Sequence, residues 1–291
     1  MNELLKYGDV LVDCSLEKYN TYRLKTKAHY ILFIKDIDAL KEFLKLKKEF
    51  ILLGNGSNVV LSDNYYDGII LKLDKLNKIE YLDNNIVKVG SGVMIPKLAL
   101  DVINHKLSGL EWAYGIPGTM GGVIFNNAGA YNEEIFSFVK DVTYMDLDGN
   151  IYTKDIKELN YGYRTSYFKD NPQYIILEIT LNLKDYNSSS MDIIKDRLER
   201  RKNSQPLNYP SCGSVFRNST LPAGKLIEDA GLKGVSIGGA SVSQKHANFI
   251  INNGNASSED IKKLISLVHD KVLDMYNIDL IREVEYKEWW R

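Results

Sequence analysis

Two glycine-rich stretches, Leu53-Gly54-Asn55-Gly56-Ser57-Asn58 and Tyr114-Gly115-Ile116-Pro117-Gly118-Thr119-Met120-Gly121-Gly122, decide how the rest of this chain is read. The first lies between two short apolar runs, Phe50–Leu53 and Val59-Val60-Leu61, that read as strands. Glycine lets a backbone turn at positive φ and approach a ligand closely. Successive backbone N–H groups in such a turn can cradle a pyrophosphate. Taken alone, the stretch reads equally well as a tight strand–strand turn. It is not the dinucleotide fingerprint of a doubly wound fold, because no helix follows it, and it lacks the lysine of a P-loop.

The second stretch tips the balance. Five glycines fall between Gly115 and Gly129, the run continuing through Asn126-Asn127-Ala128-Gly129-Ala130-Tyr131. A plain turn needs one or two. So long a stretch without bulky side chains implies backbone packed against an extended ligand.

Outward from the loops, Asp36 to Lys48 reads as an amphipathic helix, with Ile37, Leu40, Phe43 and Leu44 at helical spacing and Asp36 as its cap. Gly68–Leu73 and Ile86–Val89 read as strands, and Pro96–Lys106 as a helix with proline in its first turn. Val142–Tyr152 reads as a hairpin turning on Asp148-Gly149, and Tyr174–Leu183 as a long strand. The polar run Asp185–Ser190 marks a domain boundary. Beyond it come a basic helix, Met191–Lys202, a short helix, Ala223–Ala230, closed by Gly231, and a strand, Ala247–Ile251. A long helix, Ser257–Tyr276, opens on the capping pattern Ser257-x-x-Asp260. Helices and strands mix without a regular βαβ alternation, so the fold class is α+β.

Bulk properties narrow the function. The 291 residues carry 37 basic and 38 acidic side chains, a net charge of -1, which disfavours nucleic-acid binding. With 44% hydrophobic residues the chain can bury a sizeable core. No apolar run approaches the roughly 18 residues of a membrane span. Met1–Lys6 has no apolar core after a basic start, which argues against a secretory signal. Cys14 and Cys212 form neither a Cys-x-x-Cys pair nor a disulfide ladder. A cytoplasmic protein without a metal is expected.

The two loops together resemble the flavin-binding domain of the vanillyl-alcohol-oxidase-type (PCMH) flavoproteins. The fuller resemblance is to the UDP-N-acetylenolpyruvoylglucosamine reductase (MurB) family. It rests on an ordered set: Asn20-Thr21, the two loops, Asn127-Ala128-Gly129-Ala130-Tyr131, Tyr163-Arg164-Thr165-Ser166-Tyr167-Phe168, Cys212-Gly213-Ser214-Val215-Phe216-Arg217-Asn218, Ala223-Gly224-Lys225-Leu226-Ile227-Glu228 and His246-Ala247-Asn248-Phe249. The resemblance implies FAD, NADPH as reductant, and reduction of an enolpyruvyl UDP-sugar to UDP-N-acetylmuramate for peptidoglycan, and so for cell-wall growth, shape and division. It implies a two-part FAD-binding domain over residues 1–185, split near 75–95, and a C-terminal substrate-binding domain over 191–291. A monomer is expected, with no nucleic acid and no membrane insertion.

The resemblance also assigns roles. Ser214 stands at the family's proton donor, Arg164 at the arginine that stabilises charge on the substrate carboxylate, and Glu283 at a glutamate that stabilises or protonates the intermediate. Burial between flavin and substrate would raise the pKa of such a glutamate. Gly54, Asn55, Gly56, Ser57, Asn58, Gly115, Ile116, Pro117, Gly118, Thr119, Gly122, Asn127, Ala128 and Gly129 are the expected cofactor contacts. Tyr163, Asn218 and His246 are the expected substrate contacts; Lys225 and Gln244 are candidates for the diphosphate or cofactor, although a lone helix lysine such as Lys225 is more often solvated. Asn58 stands where some related oxidases carry a flavin-linking histidine, so the FAD is expected to be non-covalent.

Arg197, Arg200 and Arg201 read as a solvated basic face, and His105 and His269 as surface or structural residues. The chain departs from the family at Lys25-Thr26-Lys27, where glycines are usual, and at Ile281 and Glu285. Three other readings compete: an alcohol oxidase on the same flavin domain, a cysteine hydrolase using Cys212 and His246, and a nucleotide-sugar binding module without chemistry.

Overall fold

A computed structural model describes residues 3–288. These divide into two compact units, and the division is not a single cut along the chain. One unit holds the chain up to Val12, Tyr30–Gly54 and Gly68–Leu198. The other holds Asp13–His29, Asn55–Asp67 and everything from Glu199 onward.

Most of a four-stranded sheet lies in the first unit, in the order Gly8–Ser15, Lys27–Ile34, Tyr66–Lys72, Phe50–Leu52. The last two run parallel, with Leu52 beside Leu71. The helix Ile37–Leu44 buries Leu40, Phe43 and Leu44 against Leu32, Ile34, Ile69 and Leu71. Its start is fixed by Asp36, whose carboxylate accepts the Ala39 N–H at 2.7 Å. The helix ends at Leu44, short of the expected Lys48, because Lys45 is its C-cap and Lys47 turns into the left-handed region at φ 50°.

A five-stranded antiparallel sheet completes this unit, ordered Ile151–Asp155, Val139–Met145, Ile175–Asn182, Ile86–Gly90, Ile79–Tyr81. The central strand, Ile175–Asn182, is buried on both faces, which is why it shows only partial alternation. The helix Ile95–Asn104 turns Leu98, Val102 and Ile95 into the core beside Trp112 and Phe136.

In the second unit, the helix Ser258–Tyr276 buries Ile261, Leu264, Ile265, Val268 and Val272, one helical face. It covers a three-stranded antiparallel sheet, Ser236–Ile237, Ala240–Val242 and Ile250–Asn252. Ser257 and Asp260 form the expected capping box, and Asn277 ends the helix at φ 52°. Ile250 rather than Ala247 starts the third strand, because the Phe249 N–H turns back to the His246 carbonyl at 3.0 Å. The first glycine loop is not a hairpin turn. Phe50–Leu52 pairs with Tyr66–Lys72, whereas Val59–Leu61 pairs in parallel with Glu285–Lys287.

Candidate active site

In the first unit, the glycine loops meet at Gly54 and Thr119. A Cβ added to Gly54 would stand 2.7 Å from Thr119 Oγ1, so no larger residue fits without movement. The second loop is bound on both sides: the Ile95 N–H donates to the Gly118 carbonyl at 3.0 Å, and the Met120 and Gly121 N–H groups donate to Val93 and Ser91 carbonyls at 2.8 Å. The Ile116 N–H donates to the Ala113 carbonyl at 2.9 Å. Those donors hold the loop rigid and are engaged within the protein. Behind the loop, the Ser91 hydroxyl and the Trp112 indole N–H are buried without a partner among the described residues.

Arg164 sits at the turn of a small hairpin, Tyr161–Gly162 against Thr165–Ser166. Its φ is 58°, a left-handed conformation that costs a non-glycine residue on the order of 1 kcal/mol. The guanidinium stabilises that turn: Nη2 donates to the Gly129 carbonyl at 2.7 Å, Nη1 to the Asn127 carbonyl at 3.5 Å, and the group lies 5.0 Å from the centre of the exposed Tyr163 ring.

Asn127, wholly buried, joins the same assembly. Its Nδ2 donates to the Gly162 carbonyl at 2.9 Å and its Oδ1 accepts the Phe136 N–H at 3.4 Å. Gly129 pairs with Glu134 in a second hairpin whose turn residues, Tyr131 and Asn132, both have positive φ, as a two-residue turn requires. The segment Asn127-Ala128-Gly129 is therefore the platform on which Arg164 rests.

Arg197 departs from the solvated face expected of it. It bonds Glu133 at 3.0 Å and lies 4.9 Å from the centre of the Tyr131 ring, while the Tyr131 hydroxyl donates to the Arg197 carbonyl at 3.1 Å. Glu133 and Tyr131 face this helix from the hairpin, and their carboxylate and ring draw the arginine out of solvent.

The second unit holds Ser214 and Glu283. Gly213 turns at φ 77°, and half-buried Ser214 follows it. From Val215 onward the chain is held in extended form. The Val215 N–H donates to the Asn248 carbonyl at 2.9 Å, the Glu283 N–H to the Val215 carbonyl at 2.8 Å, and the Arg217 N–H to the Ile281 carbonyl at 2.8 Å. Buried Asn248 bonds both the N–H and the carbonyl of Phe216, at 2.9 and 2.8 Å. Ser214 and Glu283 thus lie on two segments joined backbone to backbone. Asn58 adds a third: its Nδ2 donates to the Glu283 carbonyl at 3.2 Å.

The end of the first loop is fixed in this unit by the Asn20-Thr21 pair. The Thr21 N–H donates to the Gly56 carbonyl at 3.1 Å, and Gly56, at φ 63°, would carry its Cβ only 2.2 Å from the Tyr19 carbonyl oxygen. Lys25-Thr26-Lys27 is accommodated without glycine, because Asn20 bonds both the N–H and the carbonyl of Leu24 and the Thr26 hydroxyl donates to the Asn64 carbonyl. Cys212 lies under the same loop, 3.3 Å from Thr21 Oγ1, and burial pushes its thiol up to about 12. A thiol so protonated is no nucleophile, which counts against a cysteine hydrolase.

His246 is half-buried and held below the ordinary imidazole value, first by burial and then by Lys233. Its Nδ1 accepts the Asn248 N–H at 3.2 Å, so the neutral ring carries its proton on Nε2. Asn218 is exposed and accepts the Ala223 N–H at the start of the helix Ala223–Asp229. Lys225 is solvated beside Asp229, and Gln244 is exposed over Gly234. His105 stacks on Tyr81 and His269 bonds Asp270 and Asp279, both at the surface.

Sequence reasoning missed Asn248, Lys72 and the link from Asn58 to Glu283. Asn248 stood inside the quoted His246–Phe249 motif, which was the one signal for it.

A family model described as an FAD binding domain matches residues 29–154. A second, for the C-terminal domain of UDP-N-acetylenolpyruvoylglucosamine reductase, matches residues 205–287. The chain is 39% identical over 290 residues to the UDP-N-acetylenolpyruvoylglucosamine reductase of Clostridium kluyveri, covering 98% of this chain and 95% of that one. It is 40% identical over 274 residues to that of Chlamydia felis, covering 92% and 91%. The crystal structure of the Thermus caldophilus reductase superposes with a TM-score of 0.81 at 28% identity, over 96% of this chain and 98% of that one. The residues present fit a flavin dinucleotide. Gly54, Gly115, Gly121 and Gly122 are partly exposed and carry no side chain, so the backbone of both loops is open to a dinucleotide.

Proposed function

Because the chain belongs to the UDP-N-acetylenolpyruvoylglucosamine reductase family, we propose that Arg164, Ser214 and Glu283 perform that family's chemistry here. The enzyme reduces the enolpyruvyl ether of UDP-N-acetylglucosamine to the lactyl ether, UDP-N-acetylmuramate, in peptidoglycan synthesis, with FAD as cofactor and NADPH as reductant. The observation that carries the residue assignment is the bond from the Glu283 N–H to the Val215 carbonyl, which ties Glu283 to the residue next to Ser214.

The reaction adds a hydride to the terminal carbon of the enol ether, and negative charge builds on the adjacent carbon and its carboxylate. When bound, the flavin supplies the hydride. Arg164 has a rigid fork that suits a carboxylate, and its turn is pre-set by the Gly129 and Asn127 carbonyls, so little reorganisation is needed as charge develops. Ser214 gives its hydroxyl proton to the carbanion. Serine is a weak acid, but the carbanion is a far stronger base, so the transfer runs downhill. Glu283, kept protonated by burial between flavin and substrate, donates a hydrogen bond to the developing charge. His246 offers an Nε2 proton to the nucleotide sugar, as do Asn218 and Tyr163 their polar groups.

The matched spans support a flavin-holding part before a substrate-binding part, and the nucleotide substrates support a cytoplasmic location. Among the described residues no helix is long and apolar enough to cross a membrane. The purified, FAD-loaded protein should be bleached by NADPH without oxygen and recoloured by the enolpyruvyl UDP-sugar. Oxygen consumption with a simple alcohol and indifference to NADPH would overturn the assignment.

A further inference from the structure

Lys72 closes the strand Tyr66–Lys72 in the first unit, with its side chain 3% exposed. A buried ammonium is costly unless well held, so its partners indicate its use. It donates to the carbonyl oxygen of Gly54 and stands 3.3 Å from an Asp74 oxygen. Sheet register brings it there. Leu52 pairs with Leu71, and the Leu53 N–H donates to the Leu71 carbonyl at 3.0 Å, so Gly54 and Lys72 leave the sheet together. Burial lowers the ammonium pKa and Asp74 opposes that shift.

The contact fixes a peptide plane. No described peptide bond is cis, so the C=O of Gly54 and the N–H of the next residue point in opposite directions. With the carbonyl drawn to Lys72, that N–H faces away from it. A flip of that peptide would turn ψ at Gly54, which glycine tolerates, and φ at Asn55, where asparagine accepts the left-handed region more readily than most residues, and it would exchange the N–H for an oxygen lone pair. An anion beside the loop favours the first arrangement and repels the second.

We propose that Lys72 is a positioning residue for the FAD diphosphate: it clamps the Gly54 carbonyl so that the first glycine loop presents an N–H, not an oxygen, to the phosphates. This rests on the FAD-dependent function given above. It extends that reading to a residue whose motif gives no sign of it, since Lys72 follows an apolar strand as an ordinary terminal lysine would.

The test is titration of the apoprotein with FAD and with riboflavin, which lacks the diphosphate, followed by flavin fluorescence. Lys72→Met should weaken FAD about tenfold or more and leave riboflavin within about twofold of wild type. Equal weakening of both ligands would reduce Lys72 to a structural lysine, and unchanged FAD affinity would remove the role altogether. If Lys72→Met fails to fold, Lys72→Gln carries the test, because it keeps the site polar while its uncharged amide falls one bond short of the ammonium's reach to the Gly54 carbonyl. Selective weakening of FAD by about threefold or more supports the clamp, and wild-type affinity overturns it. Wild-type apoprotein that takes up no FAD would refute the flavin reading itself, an outcome distinct from a Lys72 variant that binds FAD normally.

Discussion

Asn58 and Glu283 are joined side chain to backbone: Asn58 Nδ2 donates to the Glu283 carbonyl at 3.2 Å, and the Glu285 N–H returns a bond to the Asn58 carbonyl at 2.9 Å. The end of the first glycine loop therefore helps to hold a residue far along the chain. Replacing Asn58 with alanine removes the partly buried hydrogen bond to Glu283, worth about 1 kcal/mol. The melting temperature should fall by about 2–4 °C. Turnover should fall by up to roughly fivefold as Glu283 loosens, since 1.4 kcal/mol of lost positioning is a factor of ten. Unchanged melting and turnover in Asn58→Ala would show that the bond positions nothing.

Ser214→Ala separates two half-reactions. NADPH should still bleach the flavin, because Ser214 has no part in that step. Reoxidation by the enolpyruvyl substrate should slow by about 10²-fold or more, the usual contribution of a positioned acid. Anaerobic stopped-flow absorbance reads both steps, and a normal reoxidation rate would take Ser214 out of the mechanism.

Arg164→Lys keeps the charge and loses the fork. Lysine cannot bond the Gly129 and Asn127 carbonyls while also meeting a carboxylate in two places. The expected loss in kcat/KM is about 10²-fold, near 3 kcal/mol, carried mainly by kcat if the arginine acts on developing charge. A change confined to KM would recast Arg164 as a ground-state binding residue.

What could be read from the sequence was local. The Ser257–Asp260 box, the Asp36 cap and the turn around Gly149 each depend on neighbouring residues, and each formed where the pattern placed it. Pairing between distant segments left no such trace. Nothing in Val59–Leu61 indicates a partner at Glu285–Lys287, and Gly8–Ser15 and Lys27–Ile34 escaped notice as strands because their burial does not alternate cleanly. The site divides the same way. Arg164, Ser214 and Glu283 were proposed from ordered motifs. The bonds that hold the site were not: Asn127, expected as a cofactor contact, donates to the Gly162 carbonyl, and an asparagine's partners over such a distance have no sequence signature. Arg197 was read as solvated because its helix is polar on most faces, and its partners lie on a hairpin whose fold depends on two left-handed residues.

The two cysteines should differ in reactivity. With its thiol pushed up to about 12 by burial, Cys212 is thiolate in only about one molecule in 10⁴ at pH 8. Cys14 is also raised by burial, with Lys18 opposing, but it is partly exposed. Iodoacetamide should modify Cys14 in the native protein and reach Cys212 only in denaturant, as peptide mapping would show. Cys212→Ala should retain NADPH-dependent reduction. Loss of all activity in that variant, with Ser214→Ala harmless, would favour the hydrolase alternative.

Two histidines should give opposite pH signatures. His246 has a folded pKa below its unfolded value, so its contribution to stability is present above the unfolded pKa, roughly 6.5, and is lost as pH falls towards the folded value. The unfolded chain takes up that proton first, and the bond from Asn248 to Nδ1 requires the ring to be neutral. His269 is raised by Asp270 and then Asp279, so its contribution is present below the unfolded pKa and is lost as pH rises through the folded value. Melting temperatures between about pH 5 and 8 should therefore fall less steeply on the acid side in His246→Gln than in wild type. His269→Gln should leave the acid side as steep as before and flatten the decline toward neutral pH. An acid-side slope that is the same in His246→Gln and wild type would mean that this imidazole is not held neutral in the fold.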